Sequence, residues 1–271
     1  MANHDDKRNK YLERLQTGAV GYAGGGAVAG GTSVAATLGN LYADHKFSQS
    51  SPRWSELGSA ERKKSVETFH KIRKAMNISG ADLGTVESII GAHALPYSQK
   101  GVAEHIPLDK RTYAGIARTT PHPEVMAHEL GHLKDFSSNQ FLRNARLSLY
   151  GHAPVLGALG SIGTGILGAA RGSSKEPDNA KKKAGTAAAI TAASAPGLNM
   201  LQAELAADRH AIKALKTIGH GSTLSYVKKH APLKFGYTVN AATPLLAYLA
   251  GKKLGKILKQ RREHRSHFES R

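Results

Sequence analysis

The stretch PEVMAHELGHLKDF, Pro123 to Phe136, decides how this chain is read. Proline at a first helical position, followed by Glu124, is a helix start. On that helix, residues four apart lie one turn above each other, so His128 and His132 can aim both imidazoles at one ion. Glu129 follows the first histidine and lies close enough to reach a metal-bound water without ligating. The pattern is HExxH, two histidine ligands and a carboxylate that takes a proton from water. A zinc ion held there acidifies its water and polarises the scissile carbonyl. The chain has 14 histidines, yet chance gives only roughly 0.03 matches to the pattern, so an accidental helix is the weaker reading. Met126, Leu130 and Leu133 add a buried face, and Gly131 allows close approach of a neighbouring segment.

A catalytic zinc wants three protein ligands and one open position. The sequence does not continue as HExxHxxGxxH, because Asp135 and Ser138 stand where the later glycine and histidine would be. Asp135 can reach a metal one turn on, but it fits better as a support to the ligands. The better third ligand is distal. In NMLQAELAADRHAIKAL, residues 199–215, Leu201, Leu205, Ile212 and Leu215 form an apolar helical stripe, and Glu204 and Asp208 share a face. Glu204 stands at the end of a long apolar approach, where an unpaired carboxylate is costly and metal ligation would offset that cost. Asp208 can accept a hydrogen bond from a ligand histidine and fix its tautomer. The residues thus point to one Zn2+ on His128, His132 and Glu204, with Glu129 as base and Asp208 and Asp135 as supports. For the group that stabilises the developing oxyanion, His210, Tyr226 and Arg209 are guesses only. The chain has no cysteine, which excludes thiolate metal sites, disulfides and cysteine nucleophiles.

HELGH followed at a distance by ELAAD resembles the gluzincin metallopeptidases of the membrane-embedded peptidase M48 (HtpX-like) group. It is also similar to the YugP-like neutral zinc metallopeptidases, through PVLGALGSIG after the motif. The resemblance covers about residues 105–215. It implies Glu204 as third zinc ligand, Asp208 as its companion, and an apolar pair of segments between motif and glutamate. It further implies that a strand near Thr112–Arg118 forms the edge of a zincin sheet, to which a protein or peptide substrate adds as an extended strand. The chain departs from the family in having at most one apolar segment before HExxH.

Around this core, charge is unevenly spread over the 271 residues. Four stretches, 15–43, 147–170, 184–203 and 235–251, carry no Asp, Glu, Lys or Arg. Three of them reach the roughly 20 residues that a membrane helix needs. Their Gly, Ala, Ser and Thr residues suit close helix packing in lipid. The organisation expected is a basic N-terminal segment, 1–14, and an apolar Gly/Ala-rich segment at 15–43 that is a candidate membrane span. A zincin-like catalytic domain would take 44–146 and 204–234, interrupted by an apolar hairpin at 147–203 with a basic loop at 171–183. An apolar segment and basic tail follow at 235–271. Within the catalytic part, residues 55–78 read as an amphipathic helix, 85–94 as a second short helix and 102–118 as one or two strands. The fold class is then mainly α with a small β-sheet, a zincin-like α+β core, plus membrane-associated Gly/Ala-rich helices.

Net charge is +18, which favours anionic partners such as a lipid membrane. The 6% of aromatics are not interleaved with the basic runs, which speaks against nucleic acid. The expectation is a membrane-associated zinc endopeptidase. Two alternatives stand beside it. One is a non-enzymatic basic membrane-active or structural protein with a structural zinc site. The other is a soluble zinc peptidase, consistent with a mean hydropathy of −0.36. Because the ligands flank residues 147–203, the chain must cross an even number of times between them. The positive-inside rule places the zinc domain outside the cytosol, whereas the M48 resemblance implies a cytosol-facing site.

Overall fold

The computed structural model describes residues 2–49, 56–78, 81–84, 93–97, 112–116, 122–138 and 140–269. Six helices run in chain order among them: α1 (Ala2–Gln49), α2 (Ser59–Ala75), α3 (Pro123–Ser138), α4 (Gln140–Ser173), α5 (Ala180–Thr217) and α6 (Thr223–Glu269). They divide into two compact units. The first holds Met1–Thr37, Leu149–Met200 and Gly236–Arg271; the second holds Leu38–Ser148 and Leu201–Phe235. Four of the six helices therefore pass from one unit to the other.

The expectation of an α+β core is corrected by this architecture. The described residues are about 90% helical. Three short segments, β1 (Ala81–Gly84), β2 (His93–Tyr97) and β3 (Thr112–Ile116), are described through backbone pairing alone. Their order is β1-β3-β2, with β3 parallel to β1 and antiparallel to β2. The segment expected to be a free edge is thus the middle one. Both its ladder sides are taken, so it has no row of backbone donors and acceptors for a substrate strand. The short helix expected over 85–94 lies almost wholly outside the described residues.

In the second unit, the core comes from helices. Phe69, Ile72 and Met76 from α2 and its cap meet Met126, Ala127, Leu130 and Leu133 of α3. Ala211, Ala214 and Leu215 of α5 and Tyr226 of α6 complete it. Helix α2 starts where the Gly58 N–H donates to the Glu61 carboxylate at 2.9 Å. Its C-terminus closes at Asn77, whose φ of 54° is a left-handed conformation that asparagine tolerates. Between α5 and α6, Gly219 and Gly221 take φ values of 68° and 67°. Ser222 then caps α6 by accepting from the Ser225 N–H at 3.1 Å.

The first unit is packed on small residues. A Cβ added at Gly25 would lie 2.6 Å from the Ser161 carbonyl oxygen, and one at Gly165 would lie 2.6 Å from that of Gly21. α1 and α4 therefore touch through their backbones in antiparallel register. At Gly168 and Gly251, α4 and α6 meet the same way in parallel. Small residues buried there include Ser161, Thr164, Ala169, Thr186, Ser194, Ala241, Thr243 and Ala247. Several hydroxyls return to their own helices: Ser161 donates to the Gly157 carbonyl at 2.7 Å, Thr186 to Lys182 at 2.9 Å and Thr243 to Val239 at 2.8 Å. Pro244 and Tyr248 are buried as well, whereas many other bulky apolar residues point outward. Tyr22, Val34, Val155, Leu159 and Leu249 are each more than half exposed.

Two glycines of α4 separate these effects. A Cβ at Gly168 would overlap the Tyr248 carbonyl oxygen, whereas one at Gly163 meets nothing within 4 Å. Gly168→Ala is expected to cost about 1–3 kcal/mol through backbone displacement. Gly163→Ala should be neutral or stabilising by up to ~1 kcal/mol. Thermal denaturation of the two variants side by side checks this; equal midpoints would mean that the α4–α6 contact is looser than described.

Candidate metal centre

The centre lies inside the second unit and starts from one helix crossing. A Cβ at Gly131 would overlap the Ala207 carbonyl oxygen, so α3 and α5 meet backbone to backbone there. His128 and His132 flank Gly131 on α3, and Glu204 and Asp208 flank Ala207 on α5. The crossing therefore brings two histidines from one helix against two carboxylates from the other.

The ligand atoms converge. His128 Nε2 and His132 Nε2 are 3.2 Å apart. Glu204 Oε2 is 3.1 Å from His128 Nε2, and Glu204 Oε1 is 3.5 Å from His132 Nε2. Zinc–nitrogen bonds of about 2.0–2.1 Å in a tetrahedron imply ligand–ligand edges of roughly 3.3 Å. The three edges match that figure, and all three residues are less than a tenth exposed.

The tautomer is set from behind. His128 Nδ1 lies 3.0 Å from Asp208 Oδ1, so Nδ1–H donates to the carboxylate and the Nε2 lone pair faces the cluster. Asp208 is itself held twice more. The Tyr226 hydroxyl donates to Oδ1 at 2.8 Å, and the Lys234 ammonium pairs with Oδ2. His230 stacks on Tyr226 with ring centroids 4.2 Å apart and lies 5.1 Å from the His128 ring. Glu129 is buried on α3 beside His128, and its charge is felt at the Tyr226 hydroxyl.

Electrostatics favour a divalent cation. Glu129, Glu204 and Asp208 are buried carboxylates, and Lys234 is the one ammonium seen pairing with them among the described residues. Buried carboxylates are costly unless compensated. A 2+ ion held by His128, His132 and Glu204 would add to that compensation. Burial pushes the Tyr226 hydroxyl well above the usual tyrosine range, aided by the charges of Glu204, Glu129 and Glu124, so it stays a donor. Burial also pulls Lys234 down to about 8, against the Glu204 carboxylate, which leaves it mostly charged at neutral pH.

A second group, His128, Asp208 and His230, also has its donor atoms within 4.8 Å of one another. An ion there would compete with the Lys234 ammonium and the Tyr226 hydroxyl for Asp208.

Of the residues singled out from sequence, His128, His132, Glu129, Glu204 and Asp208 are brought into one buried cluster. Asp135, half-buried one turn past His132, belongs to neither converging group. Of the three oxyanion guesses, Tyr226 alone joins the cluster. Arg209 is exposed. His210 is half-buried beside α5 and α3 cations, its pKa lowered by burial first and then by Lys134, Arg209 and Lys213. His230 and Lys234 escaped the sequence reading. Their signal was present: Tyr226, His230 and Lys234 repeat every four residues, so they share one face of α6.

Comparison with protein-family models, curated proteins and solved structures finds no match to the chain.

Two substitutions grade the centre. Glu204→Ala should abolish stoichiometric zinc binding, and Asp208→Asn should weaken it by about 10–100-fold. Competition titration with a chromophoric chelator reads both; full affinity in Glu204→Ala would remove Glu204 as a ligand.

Proposed function

We propose that the chain is a membrane-associated zinc metalloendopeptidase. The observation that carries this reading is the convergence of His128, His132 and Glu204, with Glu129 buried at their side. Two of the ligands come from one helix turn, and the third comes from 72 residues beyond His132. His128, His132 and Glu204 would hold the ion. Bound zinc supplies a Lewis acid that acidifies water and polarises a peptide carbonyl.

The chain's own groups then have distinct tasks. Asp208 keeps the His128 proton on Nδ1, with Tyr226 and Lys234 fixing the carboxylate in turn. Glu129 is the carboxylate without a ligand role, so it is the group to take a proton from the attacking water and return it to the leaving amine. A purely structural metal site would not need that buried base. The substrate is a protein or peptide; a strand added to β3 is not part of this reading, since β3 is paired on both sides.

The membrane part rests on the first unit. Most buried positions there are small or hydroxyl-bearing, with Pro244 and Tyr248 the bulkier exceptions, and many bulky apolar residues are exposed, unlike a helical bundle in water. The hydroxyls of Ser161, Thr164, Thr186 and Thr243 are bonded within their own helices, which suits a hydrocarbon environment. Among the described residues, one helix segment, Val155–Ser173, is long and apolar enough to cross a membrane by length and composition.

Glu129→Gln separates binding from chemistry. It should retain one zinc per chain while peptide cleavage falls by about 10²–10⁴-fold, the usual contribution of a general base. Metal analysis together with cleavage of a mixed peptide substrate tests this; undiminished cleavage would sink the mechanism.

A further inference from the structure

The first unit is polar at one end in a way the chemistry of the centre does not explain. Its four helical segments alternate in direction. α1 enters at residue 2 and leaves at 37, α4 runs from 149 to 173, α5 from 180 to 200 and α6 from 236 to 269. Residues 37, 149, 200 and 236, the bounds of these segments, therefore lie at one end of the unit. The start of α1, the α4–α5 turn and the end of α6 lie at the other.

That other end is drawn together by contacts. The Arg262 guanidinium donates to the Glu13 carbonyl at 3.0 Å and to Gln16 Oε1 at 3.2 Å, joining α6 to α1. The Lys252 ammonium lies 3.7 Å from the Asp178 carboxylate, joining α6 to the α4–α5 turn. The Arg171 guanidinium donates to the Lys182 carbonyl at 3.3 Å across that turn. The segments at this end, 2–14, 171–183 and 252–269, hold 16 of the 38 Lys and Arg in 44 of 271 positions. Lys181, Lys183, Lys253, Lys256, Arg261 and Arg265 are exposed there. Between the two ends lie the charge-free stretches with outward Tyr22, Val155, Leu159 and Leu249.

An apolar belt ended by a basic cap is complementary to one leaflet of a membrane. Hydrocarbon covers the belt, and anionic phospholipid headgroups meet the cap. We propose that the basic end of this bundle docks on the anionic cytosolic leaflet, so that the chain emerges at the opposite face and the unit bearing His128, His132 and Glu204 acts on peptides of the non-cytosolic space. This deepens the membrane part of the proposed function and is independent of the metal. It settles the conflict between charge bias and family resemblance in favour of the charge bias. The substrate class follows: exported or membrane-anchored polypeptides exposed outside the cytosol.

The absence of cysteine gives a clean test. Two single variants of the full chain, Pro177→Cys in the exposed α4–α5 turn and Ser59→Cys at the exposed start of α2, are produced in cells that are then converted to spheroplasts. A membrane-impermeant maleimide should label Ser59→Cys in intact spheroplasts and Pro177→Cys only after lysis. The reverse pattern overturns the orientation. Equal labelling of both before lysis, or of neither, overturns the crossing itself. Repeating the measurement in a Glu129→Gln background must give the same result, because orientation does not depend on catalysis. Failure of the peptidase reading would leave the labelling unchanged. Combined Lys181→Glu, Lys183→Glu, Lys253→Glu and Lys256→Glu should send a share of the chains in with the opposite pattern. If orientation stays wholly unchanged, the basic cap is not what sets it.

Discussion

The contact between Gly131 and Ala207 is the constraint on which the centre depends. Helices carrying ordinary side chains pack with their axes 8–10 Å apart. The reach of a histidine from one and a glutamate from the other would then be spent on crossing the gap. With no Cβ at position 131, the two backbones touch, and short lateral reach suffices for Nε2 and Oε atoms to come within 3.1–3.5 Å of each other. The same closeness buries Glu204 beside the two histidines, a donor set that could hold a metal ion.

Three helices contribute to the cluster through the same device. Glu124, His128 and His132 on α3, Glu204 and Asp208 on α5, and Tyr226, His230 and Lys234 on α6 each repeat at four-residue steps. Such ladders place polar groups on one helix face without disturbing the apolar face beside it, where Leu130, Leu133, Ala211 and Ala214 are buried. Asp208 connects the ladders, since it is bonded to His128, Tyr226 and Lys234 at once. Such a network specifies one arrangement because losing any member strands a buried charge.

Small residues play a different part in the first unit. There, Gly25, Gly165 and Gly251 bring helices together without a bulky core, and the large apolar side chains are left on the outside. A water-soluble bundle gains stability by burying those side chains. Here the helices meet through close backbone packing, a mode of association that also suits lipid. Sequence reading of α5 missed a related point. Leu205 belongs to the apolar stripe of α5, yet it is 43% exposed, and the packed face is Ala203, Ala206, Ala207, Ala211 and Ala214. Hydropathy ranks leucine above alanine, but a close crossing has room only for the smaller residue.

By itself, the sequence determined what is local. HExxH on a helix from Pro123, the four-residue pairing of Glu204 with Asp208, the charge-free stretches and the basic segments all follow from spacing and composition within one element. It also pointed to Glu204 as the candidate distal ligand, from its place at the end of an apolar approach, and the fold sets Glu204 beside His128 and His132. What only the tertiary structure decided is which faces meet. It replaced the expected α+β core by helix crossings and put β3 in the middle rather than at an edge. It brought His230 and Lys234 to Asp208 through the glycine turn at 219 and 221, and it left Asp135 outside the converging groups. Those outcomes depend on how closely two backbones can approach. That distance is set by both partners at once, and no single segment records it.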